Sequence, residues 1–111
     1  MRKVYAYSFR SDLKLPDMLA RLRELGPWRW IERDNDRWGE YISARALRDP
    51  NGGTVKILEP LDQPDHYVVN VVLESEQPDA QALFDSVREI LFDRLLPALG
   101  AAGLARTETY E

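Results

Sequence analysis

Cysteine is absent from the 111 residues, which excludes disulfides, thiol nucleophiles and thiolate-held metals. Histidine occurs once, at His66, so the usual ligand set of a zinc centre is missing and no metal or cofactor is expected. No apolar run approaches the ~20 residues that span a bilayer, and no membrane partner is expected. Lysine is scarce, with only Lys3, Lys14 and Lys56, and the net charge is −4. The basic residues are interspersed with acids. Phosphate binding rests on concentrated Lys and Arg, so nucleic acid is not an expected partner. The strand pattern begins at the N-terminus with no signal-peptide core before it, which makes the cytoplasm the expected compartment.

What is present describes one domain over residues 1–111. A chain of this size buries enough surface to fold without a staple. Its apolar fraction of 44% and charged fraction of 31% are those of a globular protein.

Residues 3–10 alternate Tyr5, Tyr7 and Phe9 with Val4, Ala6 and Ser8, which predicts a strand. Leu15, Met18, Leu19, Leu22 and Leu25 form a helical stripe over 15–25. Pro16 suits its first turn and Gly26-Pro27 stops it. Residues 28–33 and 37–47 read as a hairpin turning near Asp34-Asn35-Asp36. Strands are predicted at 54–59 and 66–74, the latter apolar on both faces and therefore central. A long helix is predicted over 78–96 and ends or kinks near Pro97. The tail from Ala105 either adds an edge strand or stays loose. The order β-α-β-β-β-β-α implies an α+β two-layer sandwich. Its antiparallel sheet has 4–5 strands with two helices on one face, ferredoxin-like or a relative with an extra strand.

Several chemistries fail on spacing. Asp34, Asn35, Asp36 and Gly39 faintly resemble a calcium loop, but its fifth position is Trp38 and its twelfth Arg45. No Gly-x-Ser-x-Gly elbow surrounds any serine. Asn51-Gly52-Gly53 lacks the Lys of a phosphate loop and reads as a turn. Glu32 and Glu40 can face one another across the hairpin, as paired acids do in sugar-cleaving sites. Strand charges more commonly pair across strands, here with Arg29, Arg33, Arg37 or Arg45. No catalytic residues are expected, and the chain reads as a non-enzyme.

The densest signal is Trp28-Arg-Trp-Ile-Glu-Arg-Asp-Asn-Asp-Arg-Trp-Gly-Glu-Tyr-Ile42. It holds all three tryptophans, four carboxylates and three arginines. Either the tryptophans fill the core, or they anchor a binding surface. The binding reading assigns partner contact to Trp30, Glu32, Asp34, Asp36, Trp38, Glu40 and Tyr41, with aromatics at the centre and acids at the rim. It calls for a basic protein partner.

The segments Trp28–Asp34 and Trp38–Ile42 give the chain a resemblance to small bacterial immunity proteins of polymorphic toxin systems. That resemblance is of character across the first half of the chain. It implies a non-enzymatic protein that occludes a toxin domain's active surface, with Asp34, Asp36, Trp38 and Glu40 foremost. The modest net charge departs from the more acidic members of that group.

Two other readings compete. One is a small-ligand or enzyme domain of the dimeric ferredoxin-like type, its pocket lined by Tyr5, Tyr7, Phe9, Trp28 and His66. The other is self-association through tryptophans on an open sheet face, so the expected state is monomer or homodimer.

Overall fold

The structure is a computed structural model that describes residues 3–35, 39–46, 52–59, 65–73 and 79–107. Strand β1 (Lys3–Arg10) leads into helix α1 (Leu15–Leu25). Strands β2 (Trp30–Asn35), β3 (Gly39–Arg45), β4 (Gly52–Leu58) and β5 (His66–Leu73) follow. Helix α2 (Asp79–Ile90) continues through a π-helical turn (Leu91–Leu95) into a short α3 (Leu96–Ala98). Strand β6 (Ala102–Arg106) comes last. The six strands form one sheet in the order β2-β3-β4-β5-β1-β6, and every described pairing is antiparallel.

The fold is thus α+β. Strands β2 to β5 run as a meander, and β1 closes onto β5. Alternating direction makes β5 and β6 parallel with β1 between them, and β1 and β2 parallel with three strands between them. Both helical connections are therefore split crossovers, as in a ferredoxin-like sheet enlarged in its middle. The sheet exceeds the expected four to five strands because the tail pairs with β1. That pairing includes a bulge between Ser8 and Arg10, and Gly103 takes φ +66°, which other residues rarely adopt.

Helix α1 keeps the bounds its stripe implies and buries Met18, Leu19 and Leu22. Leu25, at its last position, is exposed instead of joining the stripe. The long helix does not stop at Leu96. Pro97 cannot donate a backbone bond, and its ring crowds the carbonyl four residues back. The turn before it widens, and Leu96 N–H bonds the Leu91 carbonyl, five residues away. Leu91, Leu95, Leu96 and Leu99 all reach the core from this segment.

One core lies between the helices and the sheet. It joins the odd-numbered residues of β1, β4 and β5 to the even-numbered ones of β2 and β3. Trp28 and Trp30 belong to it, 8% and 1% exposed, with ring centroids 6.2 Å apart. Ala6, Leu58, Val68 and Val72 are also buried, on the sheet's other face. Strand β5 is therefore buried on both faces, as its unbroken apolar run implies.

Candidate functional site

The β2–β3 hairpin sorts its charges by the period of two of a strand. Trp30, Glu32 and Asp34 share a face with Glu40, Ile42 and Ala44, on the helix side. Ile31 and Arg33 share the other face with Tyr41, Ser43 and Arg45. The carboxylates and arginines of this hairpin therefore point away from one another across the sheet. The register puts Glu32 and Glu40 on the face opposite Arg33 and Arg45, which disfavours the expected cross-strand pairing with those two.

On the helix side, Asp34 stands directly opposite Glu40, and Glu32 lies one step along the same face. All three are exposed. Cross-strand like charges repel one another. The first turn of α1 borders it: Leu15, Pro16 and Leu19 meet Glu32, Glu40 and Ile42 around a shallow notch. The positive end of the α1 dipole faces that neighbourhood and offsets part of the repulsion. The notch has about 20 Å³ of open space, enough for a water and far below a substrate pocket.

The structure redistributes the seven residues expected to contact a partner. Glu32, Asp34 and Glu40 come together on one exposed face. Tyr41 is half-buried on the opposite face, near Lys56, whose ammonium lies 6.0 Å from its ring centroid. Trp30 does not belong to any surface. It is 1% exposed because its face of β2 lies under α1, and Arg23 of that helix donates Nε–H to its carbonyl at 3.2 Å. Asp36 and Trp38 lie outside the described residues.

The five residues of the competing aromatic pocket do not line one common cavity. Tyr5 stacks on Phe84 at 3.8 Å, and Phe9 stacks on Tyr67 at 5.6 Å, so their faces are filled by protein. His66 is exposed and belongs to the opposite face from Tyr67. Self-association through open-face tryptophans likewise loses Trp28 and Trp30, which are core.

Two features escaped the sequence reading. The open face of the meander carries Arg33, Arg45 and Lys56 at strand positions, and Arg29 joins Arg33 and Arg45 around a shallow depression there. The alternation of arginines with acids in 28–35 was the available signal. The second is a groove between α2 and β6, of whose lining the sequence pointed only to Tyr5 and Tyr7. Among the described residues no three His, Asp or Glu side chains are grouped to hold a metal ion, and no helix is long and apolar enough to cross a membrane.

Elsewhere, the β1–α1 connection is tied down by polar contacts. Ser11 Oγ donates to the Leu99 carbonyl at 2.7 Å and accepts from Leu13 N–H at 3.1 Å. Tyr67 donates its hydroxyl to the Leu13 carbonyl at 2.7 Å. Burial, reinforced by the nearby Glu59 charge, pushes the Tyr67 phenol up to about 12. Lys14 forms an exposed ion pair with Asp65, and that hydrogen bond raises its ammonium above the ordinary lysine value.

No protein-family model matches the chain, and neither a curated protein nor a solved structure matches it.

Proposed function

We propose that this protein is a non-enzymatic binding module that captures a basic protein partner on the ledge of Glu32, Asp34 and Glu40. The observation that carries this reading is the direct opposition of Asp34 and Glu40 on an exposed strand face. Three exposed carboxylates on one face form an acidic patch that attracts a cationic partner. Leu15 and Pro16 beside the ledge supply apolar contact, and the small notch argues for a surface that docks and against one that encloses a substrate. Blockade of a toxin domain, as the immunity-protein resemblance implies, is the specific form of this activity. The recognition residues are then the three carboxylates, with Asp36 and Trp38 as sequence candidates. Trp30 is removed from that set by its burial.

The test is co-expression with the products of the adjacent genes, followed by affinity capture on the wild-type chain and on E32A/D34A/E40A. Retention of a basic protein by the wild type and its loss from a still-folded triple variant support the proposal. Equal retention by both, or none by either, removes it.

A further inference from the structure

At the edge of the sheet opposite the acidic ledge, a groove of about 390 Å³ runs between α2 and the edge strand β6. Its floor is aromatic. The half-buried Tyr7 and Phe92 meet edge-on there at 4.9 Å, while Tyr5 and Phe84, stacked on each other, are buried and offer it little surface. Leu104 of β6, 42% exposed, forms the outer rim.

Two guanidiniums line this groove from different walls. Arg88 of α2 holds Cζ 5.9 Å from the Phe92 ring centroid, and Arg106 of β6 holds Cζ 5.8 Å from that of Tyr5. Both side chains are exposed, and cation–π attraction favours their positions over these rings. Two cations bordering one cleft repel, and an anion between them relieves that repulsion. Asp85 also lines the groove, but Gln81 Nε2–H donates to its Oδ1 at 3.0 Å, and the lining side chains still sum to one net positive charge. The groove is an open cleft with room for a small ligand, and Tyr7, Phe92 and Leu104 give it apolar surface.

We propose that this groove binds a small organic anion with a flat apolar body, such as an aromatic carboxylate. The ring packs against Tyr7, Phe92 and Leu104, and the carboxylate takes hydrogen bonds from Arg88 and Arg106. The site is independent of the acidic ledge, since the two occupy opposite sheet edges and share no residue.

The experiment is calorimetric titration of the full chain with 2-naphthoate and, as an uncharged comparator, 2-naphthamide. The variants are R88Q/R106Q and, at the other edge, R33Q. The expected result is saturable one-to-one binding of naphthoate, weakened at least about tenfold in R88Q/R106Q and unchanged in R33Q. The amide should bind at least about tenfold more weakly. Amide shifts on the wild type locate the site without any variant: naphthoate should move the signals of Leu104, Ala105, Arg106 and Phe92. Absence of saturable binding, equal affinity for the amide, or shifts confined to other residues overturns the proposal.

Discussion

Asp34 stands directly across the β2–β3 ladder from Glu40, with Glu32 one step along the same exposed face. Opposed carboxylates on a strand pair cost about 0.2–1 kcal/mol relative to neutral neighbours. Glu40→Gln should therefore stabilise the isolated protein by roughly 0.5 kcal/mol. Glu40→Lys should gain more, because it turns repulsion into attraction. Urea midpoints at low salt measure this, and the gain should shrink at high salt. The same substitutions should weaken capture of a basic partner, which separates a recognition surface from an accident of register. A loss of stability in Glu40→Gln would contradict this account of the ledge.

Trp30 is a core residue with an unusual cost. Its indole Nε1–H is buried with no hydrogen-bond partner, while its ring packs beside Trp28. Truncation to Ala should cost about 3–5 kcal/mol through lost burial and the cavity left behind. Phe removes the orphan donor along with some volume, so Trp30→Phe should cost less than half as much. Chemical denaturation of the two variants gives the comparison directly, and near-equal losses would mean that the buried N–H carries no penalty.

Ser11 joins two distant parts of the chain. Its hydroxyl bridges the Leu99 carbonyl and the Leu13 amide while only 5% exposed. Ser11→Ala leaves both groups short of a partner and should cost roughly 1–3 kcal/mol. Amide exchange should quicken first at Leu13. A neutral substitution would show that the loop finds other partners.

Tyr67 makes stability depend on alkaline pH. An unfolded tyrosine loses its proton near pH 10, whereas the folded one holds it to about 12, chiefly through burial. Between those values the native state binds a proton that the unfolded state has released. Stability therefore falls as pH rises through 10 to 12 and is untouched by this group below that window. The loss by pH 12 is roughly 2–3 kcal/mol. Tyr67→Phe should abolish this component while costing about 1 kcal/mol at neutral pH, where Leu13 loses its donor. Denaturation at pH 8 and pH 11 on both proteins supplies the check.

Much of this architecture was legible from local pattern. The leucine stripe with Pro16 before it and Gly26 after it marks α1, and the Tyr5–Tyr7–Phe9 alternation marks β1. The same period of two already separates Glu32 and Asp34 from Ile31 and Arg33. The π-helical turn was not legible, because Pro97 signals only that regular helix cannot continue. Whether the chain ends or adapts depends on Leu95, Leu96 and Leu99 finding core. The charged neighbours of Trp30 leave core and surface both open to it in the sequence. Its burial follows from α1 lying over that face of β2, a contact between residues whose sequence says nothing of their docking.

By itself the amino-acid sequence determined which segments are strand or helix and which side chains share a face, because backbone periodicity is a local property. It also excluded thiol and disulfide chemistry through composition alone. Tertiary structure decided which face of the hairpin went under the helices, so that Trp28 and Trp30 became core and the carboxylates a ledge. It also brought Arg88 and Arg106 to the borders of one groove. Those outcomes rest on strand order and helix crossover, where the burial of apolar area between distant segments outweighs local preference.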